Sequence, residues 1–329
     1  MAKYDNLIAS IKNYEAFIGD ITYNEPLAQK TTFKVGGSAE LFIKPKNYYS
    51  FQIALSNLLA TETPFFILGG GSNIVFPDGI LQKVVLSTQD FVSVDKLAPR
   101  DLPMDFPEKI IPKDKILITC FSGTPMASLV NYCTEHYISG VEQFAGLPGS
   151  VGGATFMNAR CFDKSISEII YYTTHMNLNK SKVELEHNRF DPSQWDYKKS
   201  PFQDGNKFIT TVTFLLDQKT AKDQAKIQAE CKKYISERVD KGHFKYPSAG
   251  SVFKNNHDFG KPSGKIIDEA GLRGYSIGGA KIADFHGNFI INVNKATAKD
   301  IKDLVLYTQT QIKNNFGFSL EPEIIFVDN

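Results

Sequence analysis

At 329 residues the chain is too long for one ordinary hydrophobic core, and two or three domains are expected. Its 37 Lys and Arg balance 36 Asp and Glu, a formal net charge of +1. That balance argues against broad electrostatic binding to nucleic acid or an anionic membrane, and leaves any acidic ligand to a few placed cations.

Four cysteines (Cys120, Cys133, Cys161, Cys231) lie far apart with no CxxC pair, and the six histidines show no ligand spacing. No metal site is expected, and the thiols read as buried or incidental in a reducing cytoplasm. Lys3, Asp5, Lys12 and Glu15 interrupt the apolar residues a signal peptide would need, and no apolar run is long enough to span a bilayer.

In chain order, Leu7, Ile8, Ile11, Tyr14 and Ile18 predict an amphipathic helix over 4–18. TTFKVGGSAELFIKP (31–45) reads as two short strands around Gly36-Gly37. FFILGGGSNIVFPDG (65–79) sets Gly69, Gly70 and Gly71 between two runs of strand character, 65–68 and 74–76. Three adjacent glycines suit a plain hairpin or flexible loop, or a nest of N–H groups that closely approaches a phosphate. Segment 85–118, broken by Pro99, Pro103, Pro107 and Pro112, reads as an excursion off the sheet. LVNYCTEHYISG (129–140) reads as a helix ending at Gly140, followed at once by a second glycine loop, FAGLPGSVGGATFMNA (144–159). ISEIIYYTTHMNLN, KVELEHNRF and KFITTVTFLLD carry strand patterns, and 220–241 a charged helix, with a domain boundary near 218. The remainder mixes strands (SIGGAKI, NFIINV, EIIFV) with two helices. One lies around GKIIDEAG; the other opens at ATAKDIKDLV, with Thr297 and Asp300 as a capping box, and stops before Gly317. The fold class is α+β.

LGGGSN leads into IVF rather than a helix, so the dinucleotide fingerprint GxGxxG is absent, as is the Gly-Lys-Ser/Thr of a P-loop. What remains is two glycine loops, 69–73 and 146–153, each with a hydroxyl residue (Ser72, Ser150), able to clamp a diphosphate from both sides.

ILGGGSNIVFPDG and GVEQFAGLPGSVGGATFMNA resemble the FAD-binding signatures of the UDP-N-acetylenolpyruvoylglucosamine reductase (MurB) family. The resemblance extends to TTFKVGGSAELFIKP, YPSAGSVFKN, IDEAGLRGYSIGGAKI, HGNFIINV and LEPEIIFV, in the family's order. It implies a two-subdomain FAD-binding fold of the vanillyl-alcohol-oxidase (PCMH) type plus a C-terminal α+β substrate domain. The expected division is an N-terminal helix (1–25), an FAD-binding domain (26–217) and a substrate-binding domain (218–329) that covers the flavin face. The short stretch from Tyr197 to Lys241 resembles the subtype without the extra substrate-capping loop.

By the same resemblance, NADPH reduces a noncovalent FAD, which reduces the enolpyruvyl ether of a UDP-sugar during cytoplasmic peptidoglycan precursor synthesis; the alternatives are a flavin oxidoreductase of the same fold acting on another small acid, or a non-catalytic flavin-binding module. No nucleic-acid or membrane partner is expected. Gly69, Gly70, Gly71, Ser72, Asn73, Gly149, Ser150, Gly152 and Gly153 would hold FAD. Ser251 matches the family's proton donor, and Glu323 a catalytic carboxylate that, kept protonated by burial, hydrogen-bonds an enolate. Read without the family, Ser251 is a turn serine and Glu323 an edge-strand acid. Tyr197, Asn255 and Lys241 match substrate-binding positions, the last meeting the diphosphate. Three residues depart from the pattern. Lys198 stands where the family has an arginine, Ile325 where another is usual, and Arg160 where a glycine with φ > 0 is expected. Lys198 is assigned a catalytic cation role, with Arg160 binding substrate beside it.

Overall fold

The computed structural model describes residues 3–104, 106, 111–179 and 183–329. Pro107, and Lys182 at the head of KVELEHNRF, lie outside the described residues. The chain divides into two compact units of interleaved segments: 1–21, 43–70 and 85–235 in one, and 22–42, 71–84 and 236–329 in the other. Strands Gly19–Pro26, Ser38–Pro45 and Val84–Ser87 each run from one unit into the other, as does helix Gln224–Asp240.

The first unit is built on an antiparallel sheet with strand order Leu185–Arg189, Ile170–Asn177, Lys207–Gln218, Lys115–Phe121, Val94–Leu97. Ile138–Ser139 pairs with the end of Lys207–Gln218. Val212 lies opposite Cys120 and Phe214 opposite Ile118, and all four join the core that takes in helices Met126–Glu135 and Val151–Phe156. The alternate residues Leu117 and Leu215 face the other way, onto Leu102, Phe106 and Tyr172. A side-chain period of two thus gives the sheet two apolar faces.

Segment 85–118 is therefore not an excursion off the sheet. Val94–Leu97 is its edge strand, paired with Lys115–Phe121, and Leu102 and Phe106 pack on a sheet face. The prolines end the regular elements without releasing the chain: Pro99 opens a 3-10 turn, and the carbonyls of Pro103 and Pro112 accept from Phe106 and Lys115.

Three other elements differ from expectation. The N-terminal helix is Asp5–Lys12, burying Leu7 and Ile11. It stops because Tyr14 and Ile18 have no apolar cover (53% and 55% exposed), and the Ile18 N–H donates to Ser50 Oγ at 2.8 Å. Thr31–Val35 is a turn rather than a strand, with the Lys34 N–H on the Thr31 carbonyl and Lys34 at φ +56°. The helix expected to reach Gly140 spans Met126–Glu135, and Tyr137, at φ +58°, turns the chain into strand Ile138–Ser139.

The second unit has an antiparallel sheet in the order Ser248–Ser251, Phe289–Asn292, Ala280–Ile282, Ser276–Ile277, and a parallel pair, Ile74–Val75 with Ile325–Phe326. Helices Ser263–Glu269 and Ala298–Phe316 bury Ile266, Ile267, Ile301, Leu304 and Ile312 against Phe33, Val75 and Ile290. The Thr297–Asp300 capping box is present and Gly317, at φ +83°, ends the helix. The first amides of that helix have a further partner that no local pattern shows. The Asp78 carboxylate accepts from Ala298 N (2.6 Å) and Lys299 N (3.0 Å), an anion seated on a helix N-terminus.

Candidate active site

In the first unit the two glycine loops touch. A Cβ added to Gly70 would lie 2.5 Å from Gly149 Cα and 2.8 Å from Ser150 N; one on Gly69 would lie 2.8 Å from Ser150 Oγ. Ser150 caps helix Val151–Phe156, its Oγ accepting from Gly153 N at 3.3 Å. Val151 and Gly152 donate to the carbonyls of Thr124 and Ser122, both at 2.8 Å. The amides of Gly152 and Gly153 are thus engaged within the chain. Those of Gly70 and Ser150, where the loops meet, donate to no acceptor among the described residues. Two abutting backbone stretches with unspent N–H groups are what a diphosphate needs.

Helix Val151–Phe156 leads into the residues that fix Tyr197 and Lys198. Asn158, 3% exposed and at φ +42°, donates from Nδ2 to the Asp196 carbonyl (2.8 Å) and accepts at Oδ1 from Ser167 N (3.2 Å). Ser200 Oγ donates to the Phe156 carbonyl at 2.7 Å, and Gln203 Nε2 reaches the carbonyls of Phe156 and Lys198, each at 3.0 Å. Asp196 and Lys199 bond each other across a tight turn, with Lys198 at φ +56° inside it. Lys198 is half-buried and Tyr197 is exposed.

Arg160 lies elsewhere in character. It sits in strand Arg160–Cys161, and the left-handed backbone expected there occurs at Asn158, Phe162 and Asp163 instead. Its guanidinium is 3.1 Å from Ser165 Oγ, 3.5 Å from Asp163 and 3.7 Å from Glu168. Two exposed acids, Asp163 and Glu168, thus lie beside it.

The second unit brings Ser251 and Glu323 into one backbone register. Strand Ser248–Ser251 follows Pro247, with Gly250 at φ +72° before Ser251. The Glu323 N–H donates to the Val252 carbonyl at 2.7 Å, Lys254 N–H to the Glu321 carbonyl at 2.9 Å, and Phe253 bridges Pro322. Lys254 Nζ is also 2.6 Å from the Glu321 carboxylate. Ser251 and Glu323 are both half-buried.

Asn73, from the first glycine stretch, belongs to this arrangement. Its Nδ2 donates to the Glu323 carbonyl at 3.0 Å, and its carbonyl accepts from Ile325 N at 2.9 Å. Ile325 is thereby a strand residue, paired with Ile74. Gly71, at φ +66°, must be glycine: a Cβ would lie 2.0 Å from the Lys30 carbonyl oxygen. Asn255 Oδ1 accepts from Ser263 N at 2.9 Å, tying it to the start of helix Ser263–Glu269. Lys241 is exposed at the end of helix Gln224–Asp240, 3.8 Å from Glu237. Asn158 and Asp78 escaped the sequence reading because their partners lie 38 and 220 residues away.

The UDP-N-acetylenolpyruvoylglucosamine reductase of Treponema denticola is 38% identical over 332 residues, covering 98% of this chain and 98% of that protein. The chain belongs to the UDP-N-acetylenolpyruvoylglucosamine reductase family. The reductase of Borreliella burgdorferi is 37% identical, over 97% of this chain and 98% of its own. Residues 39–170 match the FAD binding domain and residues 242–327 the C-terminal domain of the reductase family. The first span holds both glycine loops, the second Ser251, Asn255 and Glu323. A crystal structure of the Thermus caldophilus reductase superposes with a TM-score of 0.69 at 26% identity, covering 95% of this chain and 100% of that one. The fold is α+β with an FAD-binding domain. No helix among the described residues is long and apolar enough to cross a membrane.

Proposed function

We propose that this chain reduces the enolpyruvyl ether of UDP-N-acetylglucosamine to the lactyl ether of UDP-N-acetylmuramate, using NADPH through bound FAD, in the peptidoglycan precursor synthesis of a cytoplasm. Its near-neutral charge suits a small anionic substrate better than a nucleic acid or membrane partner. The observation that carries the reading is the register of Ser251 and Glu323, joined through Val252, inside the segment that matches the reductase C-terminal domain.

The contact of Gly69 and Gly70 with Gly149 and Ser150, and the unspent amides there, fit the diphosphate of FAD. Bound noncovalently there, FAD would supply hydride transfer from NADPH to the vinyl CH₂ carbon of the substrate. That addition leaves an enolate-like carbon beside the substrate carboxylate, and the chain must supply a proton there and hold the charge. Ser251 donates the proton from Oγ. Glu323, held to the Ser251 segment by its own N–H, hydrogen-bonds the developing charge. Lys198, on a rigid left-handed turn, supplies the cation, as a point charge rather than the planar fork of an arginine. Lys241 and Asn255 belong with the substrate's diphosphate and sugar, and Tyr197 with the Lys198 turn.

The test is to follow bound flavin by absorbance. NADPH should bleach it and the enolpyruvyl UDP-sugar should restore its colour. A colourless protein that FAD cannot reconstitute would sink the reading, as would a reduced flavin that the enolpyruvyl sugar leaves reduced.

A further inference from the structure

Strand Phe289–Asn292 begins where strand Ser248–Ser251 ends, with Ser251 opposite Phe289. Neither strand continues past that pair, yet Val252 and Phe253 remain bonded to the residue just before Phe289. The Val252 N–H donates to the Asn288 carbonyl at 2.9 Å. The Asn288 side chain then takes both groups of Phe253: Phe253 N–H donates to Oδ1 and Nδ2 donates to the Phe253 carbonyl, each at 2.8 Å. A primary amide offers one acceptor and one donor in the spacing of a peptide group, so this side chain adds a rung to the ladder after the backbone has stopped. Asn288 is 4% exposed, and its own N–H donates to His286 Nδ1 at 3.1 Å. On the far side of the same dipeptide, the Val252 carbonyl accepts the Glu323 N–H.

We propose that Asn288 is the positioning residue of the Ser251–Glu323 pair, holding by its side-chain amide the dipeptide to which both are referenced. The inference rests on the roles given above to Ser251 and Glu323. Asn288 acts through Val252 and Phe253 rather than on the reacting atoms. Reduction of the flavin by NADPH does not draw on that pair, whereas proton delivery to the substrate does.

The experiment uses the full-length, FAD-loaded protein with Asn288→Ala and Asn288→Asp. In Asn288→Ala, NADPH should reduce the flavin at close to the wild-type rate, while single-turnover reoxidation by the enolpyruvyl sugar falls by about 10²-fold, the usual cost of roughly 1 Å of misplacement. In Asn288→Asp at pH 8, the new carboxylate faces the Phe253 carbonyl oxygen and reoxidation should fall similarly. Burial at this position and the facing carbonyl oxygen raise that carboxyl's pKa, so as pH is lowered it takes up a proton and regains a donor for that oxygen, and reoxidation should recover relative to wild type at the same pH. Amide exchange at Phe253 and Glu323 should quicken in Asn288→Ala. Unchanged reoxidation in Asn288→Ala overturns the proposal. So does an equal loss of both half-reactions tracking flavin content, or an Asn288→Asp defect that no pH relieves. If Asn288→Ala does not retain FAD, the pH series on Asn288→Asp decides. Failure of the wild type to reoxidise would instead sink the functional reading, and amide exchange would then decide whether Asn288 holds the pair.

Discussion

Replacing Gly70 with alanine tests the proposed flavin cradle where its two loops meet. The added methyl would sit 2.5 Å from Gly149 Cα, 2.7 Å from Gly149 C and 2.8 Å from Ser150 N, all main-chain atoms that cannot rotate away. Ordinary carbon contact needs about 1 Å more than the shortest of these, so the two loops must separate by about that much. Overpacking of this kind costs about 1–3 kcal/mol, and the separation also pulls apart the amides of Gly70 and Ser150. FAD affinity should therefore fall by about 5- to 150-fold if the same 1–3 kcal/mol is lost from binding. Titration of the apoprotein with FAD, followed by quenching of flavin fluorescence, measures it. Gly79→Ala is the control, since a Cβ there meets nothing within 4 Å. Unchanged FAD affinity in Gly70→Ala, with Gly79→Ala also unchanged, would refute the idea that the two loops form one cradle.

Ser251→Ala should leave flavin reduction by NADPH near normal and slow reoxidation by about 10²-fold or more, as expected for loss of a proton donor; equal rates in stopped flow would remove the donor role. Lys198→Ala should slow reoxidation by about 10²–10³-fold, with flavin reduction much less affected, and a normal rate would send the search for the cation elsewhere. Asp78→Ala removes the acceptor for Ala298 N and Lys299 N and should cost about 1–2 kcal/mol in urea unfolding; no change would mean that the capping box alone sustains the helix end. Burial lowers the pKa of His175, His243 and His286 from the ordinary 6.5; for His243 it falls to about 4, with Arg238 adding to the effect. These imidazoles stay neutral when folded but protonate when unfolded, so stability should drop as pH falls below about 6.5 and continue dropping toward 4. A melting temperature flat between pH 7 and 5 would contradict it.

What the sequence revealed was local. The Thr297–Asp300 box and Gly317 bound their helix as read, because capping acts over three or four residues. Phe65–Leu68 and Ile74–Val75 flank the glycines as strands for the same reason. Helix 4–18 was read too long because periodicity cannot see that Ser50 takes the Ile18 amide. Of the candidate site, Ser251 and Glu323 are singled out in the sequence only by the motifs that carry the family resemblance. Their register through Val252, the Asn288 amide and the Asn158 anchor of the Lys198 turn depend on partners that sequence spacing cannot pair. The surroundings of Arg160 were hidden in the same way: Asp163 and Glu168 are near in sequence, but only the hairpin of Arg160–Cys161 with Lys164–Ser165 turns them toward it.

An early and a late part of the second unit pair directly: Asn73 bonds Glu323 across 250 residues, and Ile74–Val75 lies alongside Ile325–Phe326. A ribosome adding about 5–20 residues per second needs roughly 10–50 s to make that stretch. Throughout that interval Phe33, Val35 and Val75, destined for the same cluster as Ile301 and Ile324, have no finished core to enter. Nor can Asp78 meet its helix until residue 298 exists. The nascent chain thus carries a half-built unit, with an open strand edge and bare apolar side chains, while the intervening segments fold around their own sheet.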